Sequence, residues 1–113
     1  MINNFVAVVS DTFDNLCANK YTIQSNRDNI VEVCFEKFSL RLYYCSYEFD
    51  LGLNYCKNNK EVDLNQVLKS IGCLNQLPTY KFMSNEEIMI SYLEEYISLL
   101  NSRFEDLENF IPN

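Results

Sequence analysis

With 113 residues, 48% of them hydrophobic and 14% aromatic, the chain is long and apolar enough to bury one core without staples, which excludes a disordered chain. Its formal net charge of -7 lies almost wholly at one end: from Ser84 on, Glu86, Glu87, Glu94, Glu95, Glu105, Asp106 and Glu108 face one base, Arg103, whereas residues 1–83 hold nine acids and eight bases. That balance repels phosphates and argues against a nucleic-acid binder, while the absence of histidine removes imidazole bases and ligands.

Ile2, Phe5, Val9, Phe13 and Leu16 recur at spacings of three and four, which predicts an amphipathic helix over roughly residues 3–18. The stretch 19–29 is polar and turn-rich, with Tyr21-Thr22-Ile23 as a short edge strand. From Ile30 to Tyr55 the period changes to two. Val31, Val33 and Phe35, then Phe38, Leu40, Leu42 and Tyr44, then Phe49, Leu51, Leu53 and Tyr55 alternate with polar or small residues. If Glu36-Lys37 and Ser46-Tyr47 are two-residue turns, Val33 faces Leu40 and Val31 faces Leu42. Tyr44 then faces Phe49, Leu42 faces Leu51 and Leu40 faces Leu53. All apolar residues share one face in this register, and a slip of one residue would destroy the agreement. Neither turn has the preferred Asn-Gly or Asp-Gly, so a longer loop is also open at each. Asp63 with Gln66 opens a second helix through Leu64, Val67, Leu68 and Ile71, and Gly72 stops it. A connection containing Pro78 leads to Ser84 and Glu87, a capping box for the last helical region. Ile88, Met89, Tyr92, Leu93, Tyr96, Ile97 and Leu100 form its apolar stripe. Ser102 with Glu105 repeats the capping signature, which predicts a break near Asn101. The expected architecture is one α+β domain over residues 1–113: a three- to four-stranded antiparallel β-meander packed on one face by an N-terminal helix and C-terminal helices.

The residues that carry chemistry are few. Cys17, Cys34, Cys45, Cys56 and Cys73 are odd in number, and no two are closer than eleven residues, so buried reduced thiols are expected rather than a zinc site. Two glycines leave no phosphate-binding loop. No metal, cofactor or enzymatic activity is expected. The N-terminal run Phe5–Val9 is too short for a signal core or a membrane span, which places the chain in the cytoplasm with no membrane partner. Glu48 and Asp50, two apart on one strand, form the best carboxylate pair for acid–base work. The plainer role is cross-strand pairing, with Glu32 opposite Arg41 and Arg41 diagonal to Asp50. The face opposite the core would show Glu32, Cys34, Ser39, Arg41, Tyr43, Glu48, Asp50 and Asn54. Tyr and Arg in such company suit protein-binding anchors, with an ordinary solvated face as the plainer reading. The C-terminal acids likewise fit a solvated helix face or a surface for a basic partner. Tyr44, Tyr55, Tyr92 and Tyr96 fall at periodic positions of the core or its rim.

A leading amphipathic helix, a meander ending in Tyr47-Glu48-Phe49-Asp50-Leu51-Gly52-Leu53, and an acidic helical C-terminus ending near Phe110 stand in an informative order. In size, order and charge the chain resembles the small acidic immunity proteins of bacterial polymorphic toxin systems, including contact-dependent growth inhibition. The resemblance implies a cytoplasmic protein that binds one cognate toxin domain, often a basic nuclease, and blocks its active site or substrate surface. Electrostatic steering toward such a partner designates Glu94, Glu95, Glu105, Asp106 and Glu108 as contacts, with Tyr43, Glu48 and Asp50 as a second patch. The alternatives are a phage- or element-encoded acidic inhibitor that imitates nucleic-acid charge, a small adaptor subunit, and a carboxylate-dependent enzyme built on Glu48 and Asp50.

Overall fold

Five antiparallel strands form one sheet in chain order: β1 (Thr22–Arg27), β2 (Ile30–Cys34), β3 (Ser39–Cys45), β4 (Asp50–Lys57) and β5 (Lys60–Asp63). The computed structural model describes residues 2–113. Helix α1 (Phe5–Leu16) precedes the sheet; α2 (Leu64–Ser70), a 3-10 turn at Leu74–Gln76, α3 (Glu86–Ser102) and α4 (Phe104–Asn109) follow it. The α+β class and the antiparallel meander are as expected, and the sheet is larger by β5 and by the full length of β1.

The alternation of side chains decides which face is covered. Val31, Val33, Leu40, Leu42, Tyr44, Leu51 and Tyr55 are buried on the inner face. Phe13 of α1, Leu64 and Leu68 of α2, Leu93, Ile97 and Leu100 of α3 and Leu107 of α4 close over Leu40, Leu42 and Leu53, leaving a gap of about 10 Å³. A gap of that size is no larger than one water needs. Tyr44, Tyr55, Tyr92 and Tyr96 are all buried.

The first hairpin has the expected register, Val31 opposite Leu42 and Val33 opposite Leu40, and Phe35 N–H donates to Phe38 O at 2.9 Å. The second does not. Tyr44 pairs with Leu51, Leu42 with Leu53 and Leu40 with Tyr55, a shift of two from the expected register. The cause is a four-residue loop, Ser46–Phe49, in which Phe49 takes φ 51°. Because side chains repeat every two residues, this shift keeps every strand residue on its expected face. Phe49 alone changes status, from core to exposed loop. The missed strand β5 turns back through Asn58-Asn59, whose φ values of 55° and 64° make the two-residue turn that matches strand twist.

Capping fixes the helix ends. Asn4 Oδ1 accepts from Ala7 N–H at 3.0 Å, and Asp63 Oδ1 from Asn65 N–H at 2.8 Å. Gly72, at φ 93°, ends the α2 segment. Asn85, not Ser84, caps α3, its Oδ1 accepting from Ile88 N–H at 2.9 Å. The break expected near Asn101 is present and falls at Arg103. Asn101 has another task. Its amide donates to Leu16 O and accepts from Ala18 N–H, both at 2.9 Å, and so ties α3 to the end of α1. Tyr55 and Lys57 of β4 serve the other end of the chain: the phenol donates to Leu107 O at 2.5 Å, and the ammonium donates to the Glu108 and Phe110 carbonyls.

Candidate protein-binding surfaces

The outer face of the sheet carries a closed polar network. Arg41 on β3 donates to Glu32 on β2 at 3.1 Å and to Glu61 on β5 at 2.6 Å. Glu61 also accepts from Tyr43 at 2.6 Å and from Asn54 at 2.7 Å, and Glu32 accepts from Ser39 at 2.5 Å. Burial pushes the Glu61 carboxyl up, but the bonds from Tyr43, Asn54 and Arg41 outweigh it and hold the group below the ordinary range. Glu32 lies opposite Arg41 as expected. Asp50 is not diagonal to Arg41; Asn54 stands opposite that residue, and Glu61 takes the second half of the guanidinium. The longer loop and the missed β5 together account for the exchange. Each terminal nitrogen of Arg41 serves one of these carboxylates, so the guanidinium is oriented by the network itself.

Glu48 and Asp50 do not form a pair on one strand. Glu48 belongs to the loop, whereas Asp50 opens β4 opposite Cys45. Asp50 accepts a short hydrogen bond from the Tyr80 hydroxyl. Burial raises the Tyr80 phenol to about 12, and the bond to Asp50 and the charges of Asp50 and Glu48 add to this. The second expected patch is therefore divided: Tyr43 faces Glu61, while Glu48 and Asp50 lie beside Tyr80.

The C-terminal acids are also distributed. Glu94 borders a cleft of about 210 Å³ between α1 and α3, shared with Asp11, Asn15, Glu86 and Ile90. Glu95 borders another of about 180 Å³ with Lys81, Glu87 and Tyr92. On α4, Glu105 is exposed, Glu108 is half-buried, and Asp106 is bound to Arg103 at 2.7 Å. Arg103 also donates to Ile71 O and, at 3.2 Å, to Cys73 Sγ, so the one base of this region is spent on the helix break. Among the described residues Glu86, Glu87, Glu94, Glu95, Glu105 and Glu108 make no ion pair. Glu86 and Glu87 stand in the first turn of α3 and Glu105 in the first turn of α4, where the helix dipole favours negative charge.

One group of residues escaped the sequence reading. The backbone N–H of Met83 donates to Phe49 O at 2.7 Å, and Tyr44 OH to Met83 O at 3.4 Å, which fastens the segment before α3 to the β3–β4 loop. Tyr47 and Phe49 on the loop and Tyr80 and Phe82 on the segment are all exposed at this corner. Tyr80 and Phe82 meet edge to face at 6.1 Å, and Tyr80 meets Tyr92 in the same way at 6.0 Å. The available signal was aromatic residues in a proline-containing connection, outside any helical or strand period.

Compared with known proteins, the chain matches no family model, no curated protein and no solved structure. Among the described residues no helix is long and apolar enough to cross a membrane, and no group of three or more Cys, Asp or Glu side chains converges to hold a metal ion.

Proposed function

We propose that this chain binds and neutralises a basic toxin domain in the cytoplasm, as an immunity protein does, and performs no catalysis of its own. The observation that supports this reading is the set of six carboxylates on α3 and α4 that no ion pair within the described residues uses. Surface charge left free in this way speeds association with an oppositely charged partner and selects against acidic ones. The outer sheet face supports the reading less, because its Arg41, Tyr43, Glu32 and Glu61 already satisfy one another.

The test is capture from a lysate of the source cell at low and at moderate salt, with mass spectrometry of what is retained. The expected result is one basic protein in stoichiometric amount, whose association slows as salt rises. Many basic proteins lost together at moderate salt would replace this reading by charge mimicry of nucleic acid. A stoichiometric partner that is not basic would replace it by an adaptor role.

A further inference from the structure

The exposed aromatic corner is unusual for this surface. Tyr47 is 95% exposed, Phe82 68%, Tyr80 45% and Phe49 39%, and all four lie on two segments joined by one backbone hydrogen bond. Scattered apolar residues on a surface need no explanation, but aromatic residues gathered at one place mark an interaction site. The other exposed large apolar residues, Leu16, Leu74 and Ile111, lie on separate segments. The corner is also acidic. Glu48 and Asp50 lie within it, Glu86 and Glu87 begin α3 just beyond Met83, and Lys81 is the one base on these segments.

We infer that this corner is an anchor for an arginine side chain of a basic protein partner. The inference rests on the reading of the chain as a binder of a basic protein and names the site that holds it. Tyr80 is fixed by its bond to Asp50 and by its edge contacts with Phe82 and Tyr92, so its ring is ordered before any partner arrives. The bond uses Asp50 Oδ1 and leaves Oδ2 without a hydrogen bond among the described residues. A guanidinium suits this pairing of an aromatic face with a carboxylate, because it is planar, stacks on rings and donates in a fixed fork. An ammonium of lysine gains the charge attraction but neither the stacking nor the fork. A second copy of this chain is disfavoured as occupant by its own charge of -7.

The experiment uses the full chain with two amidated probes, hexa-arginine and hexa-lysine, followed by NMR of the aromatic side chains and by calorimetry. The expected result is tighter binding of hexa-arginine, with shifted ring signals for Tyr47, Tyr80 and Phe82. Tyr47→Ala and Phe82→Ala each weaken it about three- to tenfold, from the usual strength of a cation over an aromatic face. Both side chains are exposed, so neither change disturbs the core; Leu74→Ala, exposed elsewhere, leaves the affinity unchanged. Binding unaltered by the aromatic variants, with shifts confined to α3 and α4, would overturn the anchor and leave the basic-partner reading standing. Absence of binding by both peptides would overturn both. Concentration-dependent self-association that Phe82→Ala removes would assign the corner to a second copy instead.

Discussion

Replacing Tyr55 by phenylalanine removes one oxygen from a side chain that is fully buried and otherwise unchanged in shape. That oxygen donates to Leu107 O at 2.5 Å and more weakly to Phe110 O at 3.4 Å. The Phe110 carbonyl keeps a second donor, Lys57 Nζ at 2.8 Å, so only the Leu107 carbonyl is left unsatisfied. A typical intramolecular hydrogen bond contributes about 1 kcal/mol net, and an orphaned buried acceptor costs about 1–3 kcal/mol. Tyr55→Phe should therefore destabilise the protein by about 1–2 kcal/mol, without the cavity term of a larger truncation. For a domain of this length that lowers Tm by about 4 °C per kcal/mol. The check is urea unfolding followed by tyrosine fluorescence and circular dichroism, with an unchanged slope and a lower midpoint. Lys57→Met removes a charge-assisted donor from the same helix end, and the two changes share the Phe110 carbonyl. The double variant should be worse than the sum by about 0.5 kcal/mol or more, because each single variant leaves that carbonyl one donor. A Tyr55→Phe loss below about 0.3 kcal/mol, or strict additivity, would refute the view that β4 holds α4 through these carbonyls.

The carboxyl of Glu61 is held low in the folded state, so the stability it contributes is present above the ordinary carboxylate range and is lost as pH falls through its folded value. Glu61→Gln should lower the urea midpoint at pH 7 and flatten the loss of stability on acidification below about pH 4.5; identical acid profiles for the two proteins would rule this out. Reversing Glu94, Glu95 and Glu105 to lysine should leave the circular dichroism spectrum intact, slow association with the captured partner and flatten its salt dependence. Unchanged rates in stopped-flow measurements would remove the helices from the interface. Asn59→Gly places at φ 64° the residue that suits it best, and should raise stability by up to about 0.5 kcal/mol in thermal unfolding. A clear loss would show that the Asn59 side chain does more than fill the turn.

What the sequence disclosed was the periodic part of the molecule. Alternation in β2, β3 and β4 named the buried face, and the spacing of α1 and α3 named their stripes, because burial of apolar surface dominates both. Loop length was not legible. The alternation runs without interruption through Phe49, and the positive φ that makes this residue a loop residue is not favoured by phenylalanine. Strand β5 has only Val62 as a partly buried apolar residue and is held by pairing with β4, which no period reports. The α3 cap moved by one residue because Ser84 and Asn85 are adjacent and both are good caps. Tyr43, Asp50 and Glu48 were legible as residues but not as neighbours, since their partners, Glu61 and Tyr80, come from segments outside the reading. The aromatic corner was hidden for the same reason, being assembled from two loops.

The strand order has a kinetic consequence. Each strand pairs with its neighbour in the chain, through links of two residues at 28–29 and 58–59 and of four at 35–38 and 46–49, so the whole sheet closes through local contacts. Local closure costs little loop entropy and is fast. The bonds of Asn101 to Leu16 and Ala18 span more than eighty residues, so joining α1 to α3 closes a far longer loop at a higher entropy cost. The sheet should thus appear early in refolding, with its inner face open until the acidic helices dock. In that interval Val31, Leu42 and Tyr55 face solvent, and the charge on α3 and α4 then keeps copies of the late intermediate apart as it closes.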